Sequence, residues 1–203
     1  MQKFYEKQNK PAYSDDYMIV LKKLTEFYQE DVGKHFDVSS KLAQLQLEKQ
    51  DLNGSVETLK KQSELCVNDQ EKHKDSLATI IKVLTAQPSL SDEHNEVLLE
   101  ALEKLVSENQ TPTNMENLKH LIKLQYKLTN ICDLVLSSKK MIKIFPENIY
   151  PLEWICKVYL ETSAGIWELE NEEEVFNNIE TIINALISFS PNNNLANLAQ
   201  VRD

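Results

Sequence analysis

The sequence predicts an all-α chain, a right-handed solenoid of antiparallel helix pairs, on three observations. Apolar residues recur at three- and four-residue steps along most of the 203 residues. Capping side chains, Pro and Gly interrupt those stripes at intervals that suit short helices. No segment alternates apolar and polar residues between hairpin turn signals.

The first stripe is Tyr17, Val20, Leu21, Leu24, Phe27 and Tyr28, with Ser14 as capping side chain and Asp15 and Asp16 as first-turn acids. From Val38 the pattern Leu42, Leu45 and Leu47 leads to Asn53-Gly54, read as a helix end, and Ser55 then caps a helix through Val56, Leu59 and Leu65. Ser76 to Ala86 forms the next helix (Leu77, Ile80, Ile81, Leu84), broken by Pro88, and "SLSDEH" opens a helix carrying Val97, Leu98, Ala101, Leu102, Leu105 and Val106. After the loop "SENQTPTN", Thr113 and Glu116 make a capping box ahead of Leu118, Leu121, Ile122 and Leu128. Ile131, Leu134, Val135, Met141 and Ile144 carry a helix up to Phe145-Pro146, and a last helix runs from Asn171 to Pro191. "MQKFYEKQ" reads as the tail of a helix and "SPNNNLANLAQVRD" as the start of one, so residues 1–203 are expected to be one helical-repeat segment of a longer array. Within it, 1–110 are degenerate helical hairpins and 111–203 the more regular repeats.

Composition narrows the function. The chain is 41% hydrophobic and 27% charged, within the range of folded soluble protein. Its 32 acidic and 22 basic residues give a formal charge of −10, which repels phosphate backbones, so strong direct nucleic-acid binding is not expected. With only 3 glycines, Gly33, Gly54 and Gly165, neither a GxxxxGK[ST] loop nor a GxGxxG turn can be assembled, and no cofactor is expected. Cys66, Cys132 and Cys156 are unpaired in spacing and read as reduced thiols in helix cores. No apolar run reaches the ~18 residues of a membrane span, and the N-terminus lacks the apolar centre of a secretory signal. A cytoplasmic or nuclear location is expected.

Candidate chemistry is sparse. His35, His73, His94 and His120 form no HExxH or Cys-His spacing, so no metal is expected. No nucleophile elbow occurs, and no catalytic residue is assigned. Glu168, Glu170, Glu172, Glu173 and Glu174 suit a helix start better than a carboxylate site. Lys139, Lys140 and Lys143 form the one modest basic patch. A heptad reading is the alternative fold: Leu42, Leu45, Leu52, Val56 and Leu59 fall at a and d spacing and Leu77, Ile80 and Leu84 keep register, which implies a self-associating coiled coil. Against it, Asn53-Gly54 lies mid-seam, and Lys49, Ser63, Gln70 and His73 occupy seam positions.

The joint "FPENIYPLEWICKVYLE" favours repeats. Pro146 and Asn148 close one unit, Pro151 suits a first helical turn, and Leu152, Ile155, Cys156 and Tyr159 take the packing offsets of a tetratricopeptide first helix. Trp154 cannot share a face with Cys156, so it either seals a neighbouring repeat, the outcome expected from so short a joint, or contacts a partner. "SFSPNNNLANLA" repeats the closure at Pro191, 45 positions after Pro146, so the unit between is about eleven residues longer than the ~34-residue consensus.

"YPLEWICKVYLE" with "MIKIFPEN", and "FYEKQNK" followed by "VLKKLTEFY", resemble the N-terminal arm of the tetratricopeptide scaffold subunit of the superkiller complex. That resemblance implies a non-enzymatic, cytoplasmic scaffold that joins an RNA helicase to WD-repeat subunits and supports exosome-mediated 3′ to 5′ mRNA decay.

Overall fold

A computed structural model of the chain describes residues 11–108, 115–161 and 184, with side chains described in these ranges except at 11–14, 108, 159 and 160. Within them lie eight helices: α1 (Pro11–Phe27), α2 (Val32–Glu48), α3 (Leu52–Leu65), α4 (Gln70–Thr85), α5 (Asp92–Glu108), α6 (Met115–Lys127), α7 (Ile131–Ile144) and α8 (Tyr150–Glu161). The chain is all-α among the described residues, as the periodicity predicts. The Thr113 cap, the loop 107–114 beyond Glu108, the acidic run and the helix from Asn171 lie outside the described residues, as do both chain ends on which the longer-array expectation rests.

Three aspartates start three consecutive helices. Asp31 accepts from the Lys34 backbone N–H at 3.1 Å, Asp51 from Gly54 at 2.9 Å and Asp69 from Lys72 at 3.3 Å, each filling one orphan donor of a first turn. Two sequence-based boundaries are thereby corrected. Asn53-Gly54 belongs to the first turn of α3, because Asp51 captures the Gly54 amide; Ser55 is buried inside the helix and caps nothing. The helix placed at Ser76 begins at Gln70, since the Asp69 cap supports a first turn and a half of polar residues. Ser14 likewise sits inside α1, which begins at Pro11, a residue suited to a first turn. Asp15 is not a first-turn acid and pairs instead with Lys49.

The turns after α2 and α6 are alike. Gln50 and Thr129 hold φ of 62° and 57°. In each turn one amide reaches back five residues (Asp51 to Gln46 and Asn130 to Gln125, both 2.8 Å), and the preceding amide reaches back three (Gln50 to Leu47, 2.9 Å; Thr129 to Tyr126, 3.0 Å). This double closure satisfies helix-end carbonyls and usually employs glycine, the residue without a Cβ penalty at positive φ.

Packing divides the chain into two compact units, Met1–Leu105 and Val106–Asp203. In the first, α1 packs on α2, α2 on α3 and α3 on α4. Leu21, Val38 and Leu42 form a core cluster with Tyr17, Met18, Leu24, Tyr28 and Leu45 around it, and Leu59, Ile80, Leu84 and Leu102 are fully buried. Phe27, assigned to the first stripe, is 78% exposed. The heptad residues Leu42, Val56, Leu59, Leu77, Ile80 and Leu84 are buried within the same chain, on three separate helices, so the seam of the coiled-coil reading is taken up internally. In the second unit α6 packs on α7, α7 on α8 and α6 on α8. Leu118, Ile122, Leu134, Met141 and Ile155 are its largest fully buried side chains among the described residues, each contributing roughly 1.5–3 kcal/mol.

A polar layer runs through the first core. The Gln62 amide donates to the Phe36 carbonyl at 2.8 Å and to Ser40 Oγ at 2.6 Å, and its Oε1 accepts from Ser76 Oγ at 3.2 Å, so one side chain of α3 ties α2 to α4. Ser63 Oγ lies 3.1 Å from His73 Nδ1, and Thr58 donates to Gln46 Oε1 at 2.8 Å. Gly54 lies against this layer: a Cβ there would lie 2.2 Å from the Asp51 carboxylate and 2.6 Å from Gln46 Nε2. Among the described residues, no helix is long and apolar enough to cross a membrane.

Candidate functional site

The joint that the sequence marks is built at the start of α8. Phe145 ends α7, Asn148 donates its backbone N–H to the Phe145 carbonyl at 3.0 Å, and its side-chain oxygen accepts from the Tyr150 N–H at 3.0 Å. Pro151 then occupies the first turn, where its missing N–H leaves nothing unpaired. Leu152, Ile155 and Cys156 are 4%, 1% and 0% exposed. Tyr159 lies on α8, with its side chain outside the described residues.

Trp154 is half-buried, and its neighbours are aromatic. Its ring centroid lies 4.8 Å from that of Tyr126 on α6 and 6.0 Å from that of Tyr150, both in tilted contact. Lys157 Nζ stands 4.5 Å from the Tyr126 centroid and 4.8 Å from that of Trp154, and Lys119 Nζ 5.8 Å from that of Tyr150. The Tyr126 hydroxyl donates to Glu161, a hydrogen bond that raises the phenol's pKa, and the Tyr150 hydroxyl donates to the Lys119 carbonyl at 3.3 Å. The indole is thus neither a sealed core residue nor a free one: it covers α6 on one side and presents a cation-lined aromatic surface.

The other candidates hold little chemistry. Lys140 donates to the Val106 carbonyl at 2.7 Å, so it serves a helix C-terminus, and the basic patch retains half-buried Lys139 and exposed Lys143. Burial pushes the Cys156 thiol up to about 11, with Glu153 adding to the effect, and Cys66 is raised in the same way, so neither is a thiolate near neutrality. Cys132 is exposed, which corrects its assignment to a helix core. His73 is engaged with Ser63, His94 with Ser91 at 3.0 Å, and no group of three or more His, Cys, Asp or Glu among the described residues could hold a metal.

A second feature went unseen in the sequence. A groove of about 810 Å³ lies among α1, α2 and α3. Its floor is one stripe of α2, His35, Ser39, Leu42 and Gln46, and its walls include Lys22 and Glu26 of α1 and Glu57, Lys61 and Glu64 of α3. His35 is 4% exposed and its Nδ1 has no hydrogen-bond partner, while burial holds its pKa below the ordinary imidazole value. The available signal was the i, i+4, i+11 placement of His35, Ser39 and Gln46, three polar residues on a face that also carries Leu42.

No protein-family model and no curated protein sequence matches the chain. Among solved structures it is similar to a crystal structure of nearly identical TPR-like repeats of a kinesin light chain candidate from Podosopora anserina, at 10% identity and a TM-score of 0.45, over 89% of this chain and 92% of that one.

Proposed function

We propose that the chain is a non-enzymatic helical-repeat scaffold, of degenerate tetratricopeptide type, that works through protein–protein contact. The observation that carries this reading is the α6–α8 surface. Trp154 and Tyr126 form a partly exposed aromatic pair with Lys157 near both rings, and Trp and Tyr are residue types enriched among the hot spots of protein interfaces. The near-identical turns at Gln50 and Thr129, one in each unit, support a repeated hairpin grammar. In this reading Leu152, Ile155, Cys156 and Tyr159 pack one repeat on the next.

The finer assignment rests on the sequence blocks around Tyr150–Glu161 and Val20–Tyr28 that resemble the superkiller scaffold subunit. On that resemblance the partners are the complex's RNA helicase and WD-repeat subunits, the location is the cytoplasm, and the role is support of exosome-mediated 3′ to 5′ mRNA decay. RNA is not gripped by this segment, because a formal charge of −10 opposes phosphate binding. Co-elution of the purified chain with the purified helicase and WD-repeat subunits tests the assignment. A shared peak is expected; separate elution at micromolar concentration contradicts the superkiller reading and leaves the fold untouched.

A further inference from the structure

The α1–α3 groove differs from the Trp154 surface in place and in chemistry. Gln46 follows His35 by eleven residue steps along α2, so the floor is about 16 Å long at 1.5 Å per step. An extended chain rises ~3.3 Å per residue, and about five of its residues cover that length. The lining favours an extended occupant over a helical one. A helix satisfies its own backbone and asks for an apolar stripe, whereas the only leucines in the lining are Leu42 on the floor and Leu65 at the end of α3, among imidazole, hydroxyl, amide and charged groups. An extended backbone brings unpaired N–H and C=O groups that such side chains can meet.

Charge selects the sign of the occupant. Glu57 is engaged by Lys61 at 2.8 Å, with Lys22 also drawing its carboxyl below the usual range, and Asp51 is held as the α3 cap. Glu26 on α1 and Glu64 on α3 are both exposed and neither makes a direct ion pair with a described residue, although Glu64 also acts on Lys61 at longer range. Beside them lies a nearly inaccessible imidazole whose Nδ1 is unpartnered, an unfavourable state for a buried polar atom.

We propose that this groove is a docking site for a basic, extended segment of about five residues from a partner protein, its cationic side chains flanked by Glu26 and Glu64 and its backbone or side-chain donors completing the polar floor at His35. The inference extends the scaffold reading to a second surface and owes nothing to the superkiller resemblance.

The test uses the whole chain alone, so its failure is distinguishable from a failure of the Trp154 surface. A fluorescein-labelled nine-residue peptide alternating arginine and leucine is titrated by anisotropy, beside the same peptide with glutamate for arginine. The arginine peptide is expected to bind at least tenfold more tightly. Glu26→Lys with Glu64→Lys should weaken it at least tenfold, whereas Asp37→Lys with Glu96→Lys, an equal charge change at exposed positions that do not line the groove, should weaken it less than threefold. His35→Leu, checked for unchanged helix content, should weaken it severalfold. Equal losses from the two lysine pairs would show attraction to the net charge alone and overturn the proposal, as would absence of binding. A concentration-dependent rise in molar mass that the Glu26→Lys, Glu64→Lys chain lacks would assign the groove to a second copy and overturn the proposed occupant.

Discussion

The Trp154 indole lies 4.8 Å from the Tyr126 ring, so α8 reaches past its neighbour α7 to pack on α6. Tilted aromatic pairs contribute about 0.5–1.5 kcal/mol beyond the area they bury. A double-mutant cycle with Tyr126→Leu and Trp154→Leu, followed by urea unfolding, should return a coupling in that range. Strict additivity would show that the rings are neighbours without being partners.

Gln62 joins three helices through one amide, with the Phe36 carbonyl, Ser40 and Ser76 as its partners. Its replacement by Ala leaves a cavity and removes all three ties at once, while Ser76 keeps its bond to the Lys72 carbonyl and the Phe36 carbonyl keeps Ser39. Gln62→Ala should cost about 2–4 kcal/mol, measured by urea denaturation, and should lower hydrogen-exchange protection in both α2 and α4. A loss confined to α3 would contradict the bridging role.

Thr129, β-branched, holds φ of 57°, where a Cβ is penalised by about 1 kcal/mol or more. Thr129→Gly should therefore raise the melting temperature, although glycine normally loosens a chain, and Gln50→Gly should do so by a smaller margin. Destabilisation by about 1 kcal/mol or more at both positions would show that these turns are not held at positive φ in solution.

His35 gives the first unit a pH dependence of defined sign. Burial lowers its folded-state pKa from 6.5, so the folded chain prefers the neutral ring and the unfolded chain binds more protons below that value. The stabilising preference is complete above pH 6.5 and is lost as pH falls through the depressed folded value. The charges lining the same groove are Lys22 and Glu26 on α1 and Asp51, Glu57, Lys61 and Glu64 on the α3 side. Stability measured between pH 7.5 and 5 should decline in the wild type and decline less in His35→Leu. Parallel slopes would remove His35 as the source.

Apolar periodicity made most of the described helices legible. Leu118, Leu121 and Ile122, and Leu77, Ile80 and Leu84, stand where a 3.6-residue stripe puts them, all at most 3% exposed. Boundaries were less legible, because a cap is decided by competition. Asn53-Gly54 has turn chemistry, yet Asp51 two residues earlier takes the Gly54 amide and Gln50 supplies the left-handed residue. Polar pairing was illegible for a different reason: Gln62 reaches Phe36 across 26 residues, and no local rule selects such a partner. Ser63 and His73 read as flaws in a heptad seam, and the fold turns them into a hydrogen-bonded pair. The groove escaped the sequence because it exists only where three helices meet; Trp154 was marked by the sequence, but its half-covered state was not, because that depends on Tyr126 and Tyr150 beside it.

Whether this chain acts as a scaffold through a protein contact at the Trp154 surface is decided by calorimetric titration. The chain and its Trp154→Ala variant are each titrated into the assembled helicase and WD-repeat subunits. Saturable binding by the wild type and at least tenfold weaker binding by the variant, about 1.4 kcal/mol, are expected, with helix content retained. Equal affinity of the two, or no heat of binding from either, would contradict that role.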